Sequence, residues 1–291
     1  MAGVMMDTLR SLRDELKRDR VPAVAAGLAF YAVLAVFPAL IALVSLYGLF
    51  SDPAQVQAQL EQLYGVMPAS AAELLGAQMH ALVGQSSGAL GVGFVVSLVG
   101  LLWSASSGVS QLFAAINVAY EREETRSFWK IRGLALGVTL AALAFSALAL
   151  ALVAVAPAAL EALSLGSTLE GAVTWLRWPL LAALMALGLG WIYRVAPDRD
   201  GKPSPRWVTP GAIAATALWL LGSLAFSFYT ARFGSYQETY GALGAVIVFM
   251  MWLWISGLSV LIGAELNYVL ERDAGRLPRA RGRRSLEDRY A

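Results

Sequence analysis

An all-α bundle of six membrane-spanning helices is the fold this sequence predicts. Three observations point to it: long uncharged apolar runs, a shortage of charge across the chain, and a one-sided placement of lysine and arginine. The 291 residues are 58% hydrophobic and 14% charged, against roughly 25% charged in soluble domains. A hydrocarbon core about 30 Å thick takes about 20 apolar residues to cross as a helix. No Asp, Glu, Lys or Arg occurs between Arg20 and Asp52, His80 and Glu121, Arg132 and Glu161, Arg206 and Arg232, or Glu238 and Glu265. These runs are too long and too continuously apolar for barrel strands, and helices satisfy their own backbone groups in lipid.

The first twenty residues carry mixed charge and read as a cytoplasmic segment over 1–22. The apolar run behind them exceeds a signal-peptide h-region, so it is expected to stay uncleaved as span one, 23–50. Pro38 sits in its middle, where it removes a backbone hydrogen bond and should kink the helix. An external segment follows at 51–88. Asp52 and Pro53 open a short helix there, and Ser70 with Glu73 forms a capping box for a second. Leu74, Leu75, Met79, Leu82 and Val83 share one face of that second helix, which predicts an amphipathic lid or a helix resting on the outer leaflet.

Span two covers 89–119 and span three 133–156. Span four, 173–195, is interrupted by Arg177, whose long side chain can snorkel to the interface. A turn-rich loop (APDRDGKPSPR) leads to Thr209 and Pro210, which suit the N-cap and first position of span five, 208–231. Span six covers 241–269, with glycines at 241, 244, 257 and 263 that permit close helix contact. An Arg-rich tail, 271–291, ends the chain. Trp175, Trp178, Trp191, Trp207, Tyr229, Tyr236 and Tyr240 fall near span ends as an aromatic belt.

Twenty of the twenty-two Lys and Arg residues fall before span one, between spans two and three, between four and five, and after span six; Arg177 and Arg232 are the exceptions. By the positive-inside rule both termini are expected to face the cytoplasm. The basic tail is expected chiefly to fix topology, with attraction to anionic headgroups second. Membrane lipids are the expected partners, and the net charge of +2 does not suggest a nucleic-acid binder.

The chain has no cysteine and a single histidine, His80, which removes thiolate chemistry and most imidazole chemistry. No cofactor or metal motif is present, and no Walker motif that would make ATP the direct energy source. Polar residues inside spans are therefore the functional candidates. Span two carries Trp103, Ser104, Ser106, Ser107, Ser110, Gln111 and Asn117. Trp103, Ser106 or Ser107, Ser110 and Asn117 share a face, which either lines a hydrated cavity or lets helices pack closely with hydrogen bonds across the contact. Glu265, with Asn267 two residues on, lies near the cytoplasmic end of span six. Its carboxylate either relays protons or binds a cation, or it pairs with a loop arginine such as Arg122, Arg126 or Arg132.

The segments AAGLAFYAVLAVFPAL, LLWSASSGVSQLFAAINVAYEREETRSFWKIRG and YRVAPDRDGKPSPRWVTPGAIAATALWLLGSLAFSFYTARFGSYQETYGALGAVIVFMMWLWISGLSVLIGAELN resemble the YihY/BrkB family of bacterial inner-membrane proteins over about residues 15–270. The resemblance implies a six-helix inner-membrane protein and links to serum resistance, envelope phenotypes and, for some members, export of lipid precursors. Trp103, Ser104, Asn117, Tyr120, Pro210, Gly211, Tyr240, Gly241, Glu265 and Asn267 coincide with its recurrent motifs. The family has also carried a ribonuclease label, which fits poorly with one histidine and acidic residues scattered through short loops. No enzymatic activity is expected. The leading expectation is a transporter or flippase-like protein for a lipidic or amphipathic envelope molecule, and the alternative is a non-transporting scaffold or envelope-integrity factor. A cavity reaching Ser106 and Asn117 would favour transport, and a tightly packed bundle would favour the scaffold.

Overall fold

The charged N-terminal residues, read from sequence as a plain cytoplasmic segment, fold as a helix of their own. In the computed structural model, which describes residues 2–50, 92–155, 167–199, 207–232 and 235–275, this helix α1 covers Ala2–Arg18. It then turns into α2, Val21–Phe50, through a 58° bend in which Arg20 adopts a left-handed φ of 48°. α2 is unbroken through position 38. The chain continues as α3 (Val92–Ala119), α4 (Phe128–Leu150, with a π-helical turn over Ala151–Val155), α5 (Ser167–Val195), α6 (Pro210–Arg232) and α7 (Ser235–Asp273). No strand occurs among the described residues. The amphipathic segment predicted at 51–88 and the basic tail beyond residue 275 lie outside the described residues.

Among the described residues five helices are long and apolar enough to cross a membrane, and the bent α1–α2 pair passes the same test when its two parts are taken as one span. Each apolar helix turns much of its surface outward: Leu224 is 70% and Trp175 79% exposed. Such exposure would penalise a soluble protein, whereas lipid tails solvate these side chains as well as a protein core does. The fold is thus a polytopic helical membrane domain.

Neighbouring helices run in the order α4, α3, α2, α7, α6, α5, with α5 touching α4 lightly and α7 also reaching α3. Because lipid supplies no hydrophobic drive between helices, small residues and hydrogen bonds set the contacts. At the α6–α7 crossing, a Cβ built on Gly211 would fall 2.0 Å from the Gly263 carbonyl oxygen, so only bare backbone fits. Trp219 and Trp252 donate their indole N–H groups to Ser256 and Ser223 across the same pair, at 2.9 and 3.2 Å. Tyr193 on α5 donates to the Val260 carbonyl at 2.6 Å. Trp254 on α7 donates to the Pro22 carbonyl at the start of α2, at 3.0 Å.

The start of α6 forms as the Thr209-Pro210 pair predicts. Pro210 is its first residue, and the Thr209 hydroxyl accepts the Ala212 N–H at 3.2 Å. α1, the end of α3, the start of α4, the end of α5, the start of α6 and the end of α7 all meet at one end of the bundle. The pairing of Glu15 on α1 with Arg272 on α7 ties the two ends of the described chain together there.

Candidate functional site: a charged end of the bundle

The polar face of α3 divides into two sites. In the first, Ser106 and Ser107 donate back to the Trp103 carbonyl at 2.7 and 3.4 Å, and Ser110 to the Ser106 carbonyl at 3.1 Å. These bonds leave the hydroxyl oxygens free to accept. The Arg132 guanidinium on α4 donates to Ser106, Ser107 and Ser110 at 3.2–3.4 Å and stacks over the Trp103 ring at 4.3 Å. The serines therefore cradle a cation supplied by the chain itself. Ser104 stands exposed off this face, and Gln111 is half-buried outside the cradle.

Asn117, one to two turns further along, is buried and serves a different site. Its Nδ2 donates to Glu124 at 2.8 Å and its Oδ1 accepts the Asp198 N–H at 2.8 Å. This side chain clasps the α3–α4 loop to the segment following α5. Thr125 completes the clasp by donating its N–H and hydroxyl to the Asp198 carboxylate at 2.7 and 2.5 Å. Arg126 forks onto Glu124 at 2.6 Å through both Nε and Nη2, and also donates to the Val195 and Ala196 carbonyls. Those carbonyls lie at the C-terminus of α5, where backbone acceptors lack helical partners and a cation is favoured. The Arg126 hydrogen bonds hold the Glu124 carboxyl below its ordinary range despite some burial. The Thr125 hydroxyl does the same for Asp198.

Glu265 is fully buried near the end of α7, and among the described residues neither carboxylate oxygen accepts a hydrogen bond from a donor. The expected pairing with a loop arginine is not what the fold builds. Arg126 is committed to Glu124 and the α5 carbonyls, and Arg132 to the serines, so both are drawn to other elements. The charged groups acting on Glu265 come instead from α1: the carboxylates of Asp19 and Glu15 and the guanidinium of Arg18. Arg18 also binds Glu15 at 2.5 Å and the Glu121 carboxylate. Arg272 holds Glu15 from the α7 side at 2.6 Å. Glu265 thus faces the charges of α1 and the turn behind it, and the Asp19 carboxylate stands close enough to share a proton with it.

Asn267, predicted beside Glu265, is turned to another task. Its Oδ1 accepts the Gly211 N–H at 2.9 Å and its Nδ2 donates to the Thr209 hydroxyl at 2.9 Å. It caps α6 from α7, satisfying an N-terminal donor that has no partner within its own helix. Sequence reading named Arg132 as a partner for Glu265, whereas it binds the serines, and it missed Asp198 and the carboxylates Glu15 and Asp19 as site members because each was accounted for as loop or terminal charge. The signal for α1 was present in Leu9, Leu12 and Leu16, which recur at helical spacing amid charges.

Two of the surface clefts among the described residues are lined by neither the serines nor Glu265. One, of about 490 Å³, runs between Val36 and Ala39 of α2 and the stretch from Leu143 to Val153, and its walls are mainly apolar. The other, of about 420 Å³, lies against α1. Among the described residues no group of three or more His, Asp or Glu is arranged to hold a metal ion.

Comparison with known proteins agrees with this architecture. The family model described as Virulence factor BrkB matches residues 12–286. A Bacillus subtilis protein named as ribonuclease-like, YfkH, is 32% identical over 85% of this chain and 89% of its own length. Proteins named UPF0761 membrane protein from Pseudoalteromonas atlantica and Haemophilus influenzae are 28% and 26% identical, over 90% and 87% of this chain and 85% and 91% of theirs. No solved structure matches. The family match over nearly the whole chain, together with the apolar helices, makes this protein an integral membrane member of the BrkB family.

Proposed function

We propose that the protein is a transporter or flippase-like carrier for a lipidic or amphipathic envelope molecule, seated in the bacterial inner membrane with both termini in the cytoplasm. The observation that carries this reading is Glu265, a buried carboxylate in a membrane-spanning helix that, among the described residues, accepts no hydrogen bond from a donor and lies beside the Asp19 carboxylate. Two neighbouring buried carboxylates cost several kcal/mol if both are charged, and a shared proton between them supports proton or cation handling. Glu15 and Asp19 offer the next carboxylates toward the end of the bundle, and a proton leaving Glu265 has acceptors there. The apolar cleft between α2 and α4 gives a lipid chain lateral access. The charge asymmetry supports the orientation.

Proteoliposomes carrying fluorescent lipids test this directly. The wild type should move labelled lipid between leaflets faster than protein-free vesicles, and Glu265→Gln should abolish that movement while the protein still elutes as a monodisperse species. Lipid movement equal to protein-free controls would remove the proposal's main support.

A second reading, a non-transporting scaffold, is favoured by one observation. The face of α3 expected to line a cavity is filled by Arg132 at the serines and tied by Asn117 at its end. Under that reading Glu265→Gln lowers or raises stability and leaves no transport phenotype.

A further inference from the structure

α1 packs on the bundle by its charged face. Glu15 is buried and held by Arg272, and Arg18 reaches Glu121 at the end of α3. Leu16 packs against the core beside them, and the apolar residues nearer the start of α1 are left open: Met6 is 54% and Leu9 55% exposed. Leu9, Leu12, Leu16 and Pro22 form the apolar wall of the 420 Å³ cleft. Arg13, Lys17 and Arg20 rim the same cleft. All three are exposed, and none of their side chains makes a hydrogen bond or ion pair among the described residues.

Their setting says what covers this face. The 58° bend turns α1 away from the axis of the span it precedes, at the point where the charged residues end and the uncharged run behind Arg20 begins. A leucine stripe beside unpaired cations at that point matches an acyl chain beneath an anionic headgroup. We propose that the α1–α2 corner is a docking site for an anionic phospholipid of the adjacent leaflet, its chain along Leu9, Leu12 and Leu16 and its phosphate on Arg13, Lys17 and Arg20. The site differs from the basic-tail contact, since it is built into the folded corner, and it does not require the protein to transport anything. By holding α1 down at the membrane surface, the lipid also steadies the carboxylates that cover Glu265.

The chain has no cysteine, so Leu9→Cys supplies a single thiol for a fluorophore. The full-length labelled protein is placed in nanodiscs of phosphatidylglycerol and phosphatidylcholine in equal amounts, with one or the other lipid brominated. Brominated phosphatidylglycerol should quench the label at position 9 more strongly than brominated phosphatidylcholine. Replacing Arg13, Lys17 and Arg20 together with Gln should remove that preference, since each cation near an anionic surface favours binding by about fivefold. Replacing Arg279, Arg281, Arg283 and Arg284 of the tail with Gln should leave it intact. Equal quenching by the two lipids, no quenching by either, or a preference that survives the triple substitution and vanishes with the tail arginines would overturn the proposal. If the triple variant does not fold, the comparison of the two brominated lipids in the otherwise unaltered chain still decides it.

Discussion

Gly211→Ala puts the α6–α7 crossing to the most direct test. The added Cβ would lie 2.0 Å from the Gly263 carbonyl oxygen and 2.6 Å from the Asn267 Cγ, where ordinary contact begins near 3.4 Å. The nearest obstacle is backbone, so no rotamer change relieves it, and the helices must part by about 1.4 Å at this point. Overpacking of this kind costs about 1–3 kcal/mol. Parting also strains the bonds from Asn267 to Gly211 and Thr209, and interhelical hydrogen bonds in membranes contribute about 0.6 kcal/mol each, with a maximum near 1.7. A loss of about 2–5 kcal/mol follows, and at about 2–4 °C per kcal/mol the apparent melting temperature should fall by roughly 4–20 °C. The assay is thermal denaturation of detergent-purified protein followed by size-exclusion fluorescence. Two controls calibrate it. Gly137→Ala meets nothing within 4 Å and should be neutral or slightly stabilising. Gly222→Ala meets the Ile255 Cγ2 at 2.8 Å, a side-chain atom that can move, and should fall between the two. A Gly211→Ala protein as stable as Gly137→Ala would refute the close-approach argument.

Other substitutions separate the roles of the polar residues. Asn267→Leu removes the cap on α6 and should destabilise by about 1–3 kcal/mol in the same assay; Asn267→Asp keeps the acceptor for the Gly211 N–H at a favourable helix N-terminus and should cost less. Arg132→Lys loses the forked contact with the serines and the stack on Trp103, so tryptophan emission should shift and stability drop by about 0.5–2 kcal/mol. The Glu124–Arg126 and Asp198–Thr125 contacts hold both carboxyls below their unfolded values, so their stabilisation is complete above the ordinary carboxylate range of about 4 and is lost as pH falls through the lower folded values. The stability gap between wild type and Arg126→Gln should therefore be full at pH 7 and shrink below about pH 4, and a pH-independent gap would count against the clasp.

Hydropathy and caps were legible because each is decided locally. A run such as 133–160 with no charge must sit in lipid whatever surrounds it, and Thr209-Pro210 starts a helix by its own backbone chemistry. The candidate polar residues were legible as a set, since polar groups in spans need partners, but their partners were not. Twenty basic residues were expected on one side of the membrane, and nothing in their spacing says which one reaches the serines and which reaches Glu124. Asn267 was read together with Glu265 because they are neighbours in sequence, yet the helical turn between them points one at α6 and the other at the charges of α1.

What the sequence determined by itself is the class of solvent, the helical response to it and the membership in a family of membrane proteins. The packing of α7 against α1, α2 and α6 decided the rest. It gave the α6 cap to Asn267 and set Glu265 against the charges of α1, while the contact of α3 with α4 gave the serines to Arg132. The physical reason is range: burial in lipid depends on composition over one helix length, whereas a hydrogen bond or ion pair depends on ångström-scale crossings between helices far apart in the chain.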